Sequence, residues 1–235
     1  WEQTWLMKFN PSKCEVMSVP ASRNPIHSEY ALHSQALQRT TSTKYLGVTI
    51  TSDLKWNSHI ANITSKANRT LGLLRRNLQV GDTKIKEQAY FTLVRPQVEY
   101  CSSVWDPYTN TLKSQVERTQ RRAARYVCRR YHNTSSVTAM LDELSWMTLE
   151  QRRENGRLIM LYKIVNNLVA MPVEEFLTIS HRPSRHGSHI TFTHIPAKHD
   201  YFKYSFFPRM VPQWNKLSSI ISNAENLNIF KSKLS

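Results

Sequence analysis

The sequence contains little glycine and cysteine and few acidic residues. With 5 glycines and 10 prolines in 235 residues, it has neither a collagen-like nor a linker-dominated composition. Its three cysteines (Cys14, Cys101, Cys128) form no C-x-x-C pair, so no disulfide framework or zinc knuckle is predicted, and a reducing, intracellular compartment fits best. No apolar run reaches the roughly 18 residues of a transmembrane span. The chain opens on Trp1 without a signal peptide, and we expect it to be a piece of a longer protein.

Motifs of several enzyme classes are absent as well. There is no G-x-S-x-G nucleophile elbow, no G-x-x-x-x-G-K-[ST] phosphate loop and no G-x-G-x-x-G dinucleotide loop. Two-metal phosphoryl transfer needs clustered carboxylates. The five aspartates stand isolated in the sequence, at Asp53, Asp82, Asp106, Asp142 and Asp200. We therefore expect no metal site and no cofactor in this chain, and no polymerase-type catalysis by the chain alone.

Five histidines near the C-terminus raise the alternative of a metal site. They are His181, His186, His189, His194 and His199. Zinc ligands usually come in tight pairs such as H-x-x-x-H on a helix, often with cysteine or a carboxylate. Here the spacing is irregular, the segment has no helical period and no cysteine is near. An irregular polar loop over 181–204 is the favoured interpretation.

Positive charge is the most unusual property of the composition. The chain carries 32 Lys and Arg against 17 Asp and Glu, a net charge of +15. Such an excess concerns partners rather than fold, and nucleic acid is the commonest polyanionic partner. A basic surface without a specific ligand is the alternative. The hydrophobic fraction of 40% is ordinary for a folded protein and argues against disorder.

Apolar periodicity predicts a mainly α protein with a small antiparallel β element at the N-terminus, an α+β fold class. Strands are predicted at 14–19, 31–37 and 45–50, beside a short helix within 1–9. Helices are predicted at about 57–78, 83–94, 112–130, 136–144, 149–169 and 223–234. Thr148 and Gln151 have the spacing of a capping box at the start of the longest helix, and Pro96 should disturb the end of the second.

The helix at 112–130 has one apolar face and one basic face. Five arginines share the basic face: Arg118, Arg121, Arg122, Arg125 and Arg129. Like charges at this spacing repel one another, with only Glu117 near them, and a phosphate backbone would relieve the repulsion through bidentate hydrogen bonds. The alternatives are a solvated face or ion pairs with acids from elsewhere in the fold.

The helix at 57–78 repeats this pattern with fewer cations. Its basic residues are Lys66, Arg69, Arg75 and Arg76, and no acid lies between His59 and Gln79. Two basic amphipathic helices that pack by their apolar faces would line one groove. Together, the two helices predict a surface that grips nucleic acid without reading its sequence.

Three stretches resemble the reverse transcriptases of non-LTR (LINE-type) retrotransposons, most closely the jockey and CR1 branches. The first, W-x-x-x-W-L-M-K-F-N-P-S-K-C from Trp1, resembles the entry to motif D of the palm. The second, K-Y-L-G-V-T-I-T-S-D-L-K-W-N-S-H-I from Lys44, resembles motif E and the start of the thumb. The third is the series V-R-P-Q-V-E-Y-C-S-S-V-W-D-P, Q-R-R-A-A-R-Y-V and S-F-F-P-R-M-V-P-Q-W-N-K-L. The resemblance covers essentially the whole chain, and its specificity lies in the order and spacing of the motifs.

The resemblance implies a division of the chain and roles for four residues. Residues 1–56 would be the end of the palm, 57–132 a helical thumb-like bundle, and 133–235 a mixed C-terminal extension. Lys13 matches the motif D lysine, the general acid for the leaving pyrophosphate; an exposed strand-end lysine is the alternative. Tyr45, Leu46 and Gly47 match the primer grip, where a tight turn lets the backbone approach the primer end; a hairpin with buried Tyr45 and Leu46 is the alternative. The metal-binding aspartates of the family have no counterpart in this chain.

The resemblance also implies partners and a cellular setting. The expected partners are element RNA, an RNA–DNA duplex, target DNA and the palm and fingers portion of the same polyprotein, with no membrane. Mg²⁺ is expected only for the complete polymerase. From the family we expect an intracellular protein that is found in the nucleus and in cytoplasmic ribonucleoprotein particles. A stand-alone basic RNA-binding or interaction module derived from a transposon is the alternative function, and a decayed gene product is a third interpretation. Trp146, Trp214 and Phe206–Phe207 are expected to be packing residues rather than base-stacking residues.

Overall fold

A computed structural model describes residues 1–19, 28–79, 82–180 and 190–234. Helices dominate it, and the short strands lie near the N-terminus, so the predicted fold class is confirmed. The chain folds as two compact units, Trp1–Ala61 and Asn62–Ser235. The three-part division at 56/57 and 132/133 stays a prediction.

The first unit contains three separate pairs of short strands. They are β1 (Glu15–Met17), β2 (Ala31–Leu32), β3 (Gln35–Ala36), β4 (Gln38–Thr40), β5 (Ser42–Tyr45) and β6 (Val48–Thr51). β2 pairs with β3 and β5 with β6, both antiparallel. β1 and β4 pair in parallel, with Glu15 opposite Gln38, whereas the sequence predicted only antiparallel pairing. The connection between them contains the β2–β3 hairpin rather than a single tight turn, and this lets β4 return in the direction of β1.

Two predicted strands are interrupted by turns. The run at 45–50 is broken at Leu46 and Gly47, whose φ angles are 46° and 88°. Because Tyr45 faces Val48, these two residues form the complete hairpin loop, and positive φ at both positions is typical of a type I′ turn. The run at 31–37 is broken in the same way at His33 and Ser34, with φ angles of 50° and 62°.

The described residues contain a helix at each predicted place and four further helices that were not predicted. They are α1 (Glu2–Trp5), α2 (Asn57–Asn77), α3 (Thr83–Ala89), α4 (Ser102–Trp105), α5 (Asn110–Cys128), α6 (Val137–Glu143), α7 (Leu149–Val165), α8 (Asp200–Lys203), α9 (Phe206–Asn215), α10 (Ser219–Ser222) and α11 (Leu227–Lys233). The Thr148 hydroxyl accepts the Gln151 N–H at 3.2 Å, so half of the predicted capping box forms.

Three predicted helices differ from those observed. The helix at 83–94 continues from α3 as a π turn, Tyr90–Val94, and then a 3-10 turn, Arg95–Val98, because Pro96 has no N–H to continue the α pattern. The helix at 149–169 ends at Val165. The helix at 223–234 is shorter than predicted and spans only Leu227–Lys233, since the Asn226 side chain accepts the N–H groups of Asn228 and Ile229 and starts α11 there.

Only part of the predicted loop at 181–204 can be compared with the prediction. Residues 181–189, with His181, His186 and His189, lie outside the described residues. Residues 190–199 contain no helix, and Phe192 forms an antiparallel bridge with Ile179. The end of the predicted loop contains α8.

A continuous apolar core in the second unit is formed by α7, α9 and α11. Leu161 and Tyr162 of α7 pack with Met210 and Trp214 of α9 and with Phe230 of α11. The Tyr162 and Phe230 rings stack with centroids 4.3 Å apart. Trp146 and Trp214 are both buried, which confirms them as packing residues, and Phe206 and Phe207 pack against the same core.

Candidate nucleic-acid interface

The helix α5 separates an apolar face from a basic face. Val116, Ala123 and Val127 are buried on one side, as the 3.6-residue period predicts. The opposite side contains the arginine face, by which we mean Arg118, Arg121, Arg122 and Arg125. Arg118 and Arg122 are exposed, and Arg121 and Arg125 are half-buried. The helix ends at Cys128, and its C-cap residue is Arg129, which is exposed and lies in the left-handed region with φ of 54°.

The basic residues of α2 do not all lie on one face. Lys66, Arg69, Arg75 and Arg76 are all exposed. At 100° per residue, Lys66, Arg69 and Arg76 fall on the side opposite the buried Ala67 and Leu71. Arg75 falls half a turn from Lys66, at the edge of the buried face. The four cations therefore divide into a group of three and a single residue.

α2 and α5 run parallel and in contact. Gln115 Nε2 donates to Thr64 Oγ1 at 3.4 Å near the start of both helices. Further along, the Tyr126 hydroxyl donates to the Leu74 and Leu78 carbonyls, both at 3.4 Å. The contacts follow the same order along both helices, so the two helices run parallel.

This contact settles which basic residues can be neighbours. α2 meets α5 through the side that holds Thr64 and Leu78, so Lys66, Arg69 and Arg76 lie on the far side of α2. The prediction that both helices line one groove with their basic faces is wrong for these three. At the C-terminal ends, by contrast, Arg129 donates to the Gln79 carbonyl, and the Arg75 guanidinium carbon is 5.0 Å from the centroid of the Tyr131 ring.

None of these nine cations forms an ion pair with a described residue. The ion pairs of the second unit use a different set of cations, namely Arg95, Lys113, Arg130, Arg152, Arg153, Arg157 and Arg209. Glu117, the acid expected near the arginine face, instead accepts the Leu149 N–H at 3.1 Å, at the start of α7. Burial raises the pKa of Glu117. The arginine face therefore forms no ion pair with a described residue, although Arg121 acts on Glu117 through its charge, and its four positive charges exceed the one negative charge near them.

The residues matched to palm motifs lie at exposed positions of the first unit. Lys13 is exposed and ends the 3-10 turn Pro11–Lys13, two residues before β1. Tyr45 and Leu46 are exposed at the tip of the β5–β6 hairpin, so the alternative of a hairpin that buries both side chains is wrong. The roles of Lys13, Tyr45, Leu46 and Gly47 stay predictions.

A buried cluster of three arginines around Asp106 was not foreseen. Asp106 Oδ1 accepts from Arg153 Nε at 2.5 Å, and Asp106 Oδ2 lies 2.9 Å from Arg209 Nη2. Arg157 Nη1 binds the same Oδ2 atom. Burial and the neighbouring Arg209 guanidinium lower the pKa of Arg157. The sequence contains one signal for this cluster: Arg153 and Arg157 are four residues apart on the side of α7 that also carries Leu161.

Neither a metal-binding group nor a membrane-spanning helix is found where the chain is described. No group of three or more His, Cys, Asp or Glu side chains in 1–19, 28–79, 82–180 and 190–234 could hold a metal ion. His199, one of the two described members of the histidine run, stacks on Tyr201 with ring centroids 5.4 Å apart. Within the same residues, no helix combines the length and the apolar character needed to cross a bilayer.

Comparison with known proteins assigns no relative to the chain. No protein-family model, no curated protein and no solved structure matches it.

Proposed function

We propose that this chain is the template–primer-gripping C-terminal part of an RNA-directed DNA polymerase of the non-LTR retrotransposon type, inactive on its own. The observation that carries the proposal is the arginine face of α5, which has no acidic partner among the described residues. The motif order from Trp1 onward supports the choice of family. In the complete protein, the chain would lie in ribonucleoprotein particles and in the nucleus.

The arrangement of the arginines explains why phosphate is the expected ligand. The arginine face contains four like-charged pairs at i,i+3 or i,i+4 spacing, each of which costs an isolated helix about 0.2–0.5 kcal/mol. The face as a whole therefore costs α5 about 1–2 kcal/mol without counter-charge. A sugar–phosphate chain removes this cost, and guanidinium groups match its oxygens with paired hydrogen bonds. Backbone contacts of this kind hold a duplex without selecting its sequence.

The first unit supports the proposal that another polypeptide segment packs against it. Among its described residues, the only buried hydrophobic side chains are Val48 and Ile60. Trp1, Trp5 and Leu6 are exposed, with Leu6 at 91%, and so are Met7 and Phe9. Exposed apolar patches of this kind mark surfaces that bind a partner. We propose the remainder of a polymerase palm as that partner, with Lys13 and the β5–β6 hairpin facing the primer end.

A titration of binding against salt concentration tests the grip directly. The full chain is bound to a labelled RNA–DNA hybrid by fluorescence anisotropy at several NaCl concentrations. Each phosphate contact contributes about −0.9 to the slope of log K against log salt concentration. Arg118→Gln and Arg122→Gln should each reduce this slope by about 1, with circular dichroism as the check on folding.

Lys113→Gln is the matched control on the same helix. It removes one positive charge from α5, as the arginine variants do, but Lys113 already pairs with Glu150 at 2.7 Å. Its slope should equal that of the wild type. If the wild-type chain shows no salt-dependent affinity, or if Lys113→Gln lowers the slope as much as Arg122→Gln, the proposal is wrong. Primer extension by the chain alone with Mg²⁺ would contradict the proposed inactivity.

A further inference from the structure

An exposed aromatic ring lies where α2 and α5 end together. Tyr131 has 50% of its surface exposed. The Arg75 guanidinium carbon lies 5.0 Å from the ring centroid, within the range of a cation–π contact. Arg129, two residues earlier, donates to the Gln79 carbonyl at the end of α2. The ring therefore stands among cations that have no acidic partner in the described chain.

Backbone hydrogen bonds lie on both sides of Tyr131: the Arg130 N–H donates to the Arg125 carbonyl at 3.2 Å, and the Ser135 N–H donates to the His132 carbonyl at 3.0 Å. Arg130 forms a two-point hydrogen bond with Glu143 of α6, at 2.7 Å and 3.1 Å. His132 Nδ1 lies 2.8 Å from Thr134 Oγ1 in the following turn. An aromatic side chain has few rotatable bonds, so a fixed backbone leaves the ring little freedom to lose on binding.

Two other exposed aromatic rings of the second unit, those of Tyr108 and Phe176, stack on a protein ring. Tyr108 lies against Tyr204 with centroids 4.0 Å apart and planes at 4°. Phe176 lies against Phe207 in the same way, at 4.8 Å. Tyr131 instead makes its ring contact with a guanidinium group.

We propose that Tyr131 stacks on an unpaired base of a bound nucleic acid, with Arg75 and Arg129 contacting the adjoining phosphates. A base inside a duplex has both faces covered by its neighbours, so an isolated ring on the protein surface suits a single strand or an unpaired end. Stacking of this kind accepts any base, and the cations beside it supply the charge for the backbone. The assignment rests on the proposed nucleic-acid binding and adds the unpaired segment to the ligand.

The test compares single-stranded RNA, single-stranded DNA and a blunt-ended RNA–DNA hybrid as ligands of the full chain. Tyr131→Ala should lose about 5-fold to 150-fold in affinity for the single strands and keep its affinity for the blunt hybrid. Tyr131→Phe should behave as the wild type, because the ring remains. Tyr108→Ala, which removes a ring that stacks on Tyr204, is the matched control and should keep its affinity for single strands. RNA and DNA should respond alike, since the ring contacts the base.

A second measurement uses the fluorescence of the bound strand. Single strands that carry 2-aminopurine should lose fluorescence on binding to the wild-type chain, since stacking on an aromatic ring quenches it, and Tyr131→Phe should quench equally. Equal single-strand affinity for Tyr131→Ala and wild type would overturn the assignment while leaving the grip on the duplex intact. Absence of wild-type binding to any of the three ligands would overturn the proposed function itself.

Discussion

The substitution Asp106→Asn removes a carboxylate that three guanidinium groups share. The side chain of Arg153 is fully buried, and those of Arg157 and Arg209 are 4% and 16% exposed. Arg153 Nη1 and Nη2 have no hydrogen-bond partner among the described residues. Asparagine keeps the size of the side chain and one acceptor oxygen but no charge. All three cations would lose their counter-charge together.

The expected cost follows from the burial of these charges. Removing one partner of a buried ion pair costs about 3–5 kcal/mol, because the remaining charge stays in a poorly solvated site. Here three cations pair with one acid, so we expect a loss of about 5 kcal/mol in the free energy of unfolding. Domains of this size have roughly 5–15 kcal/mol of stability in total. The melting temperature should fall by about 10–20 °C.

Urea unfolding followed by tryptophan fluorescence and circular dichroism measures the loss. Asp142→Asn makes the same chemical change on the exposed side of α6 and should stay within about 0.5 kcal/mol of the wild type. Arg157→Met should cost less than Asp106→Asn, because it leaves Asp106 with two cations and removes part of the charge excess. A free energy of unfolding for Asp106→Asn within about 1 kcal/mol of the wild-type value would refute the role of Asp106 as a shared counter-charge.

Two titrating side chains and one helix cap give further tests. Because burial raises the pKa of Glu117 above 4.5, the free energy of unfolding should fall as pH rises from 4.5 through the folded-state pKa. Urea titrations of Glu117→Gln should lack this pH dependence. A pH profile of Glu117→Gln equal to that of the wild type would contradict the prediction. Burial lowers the pKa of His59 below 6.5, and its Nδ1 accepts the Thr49 N–H at 3.1 Å. Stability should therefore be lost as pH falls from 6.5 through the folded-state pKa. An NMR titration that gives a pKa of 6.5 or more for His59 would refute this prediction. Thr148→Ala should cost about 1 kcal/mol of unfolding free energy, whereas Thr138→Ala, on exposed α6 surface, should cost nothing measurable.

The helices could be predicted where apolar period and end signals agree. α2 and α5 have long apolar stripes, and α7 starts at the Thr148 cap. α9 was not predicted, because it contains Pro208 and Pro212. Pro208 lies in the first turn, where its missing N–H is harmless, and Pro212 interrupts the ladder of a helix that Trp214 and Met210 anchor in the core. Tertiary packing outweighed local propensity there.

The candidate site, too, could be predicted only in part from the sequence. The buried and exposed sides of α5 follow from its period alone, so the arginine face could be read from the sequence. The sequence does not show which side of α2 contacts α5. The separation of Arg75 from Lys66, Arg69 and Arg76 depends on that contact and could not be predicted from residue spacing. Tyr131 is one tyrosine among ten, and its position beside Arg75 depends on how two helix ends meet.

Part of the net charge of +15 lies away from the surface, because the acids there are outnumbered by the arginines that pair with them. Within the described part of the second unit, Asp106 serves three arginines and Glu99 serves Arg95 and Arg152. Because each of these acids pairs with more than one arginine, it connects neighbouring helices, and Asp106 in this way links the end of α4 to α7 and α9. Glu117 is half-buried and accepts the Leu149 N–H at the start of α7. The arginine face therefore has no ion pair among the described residues, and the polyanion proposed above as its ligand would supply the missing counter-charge.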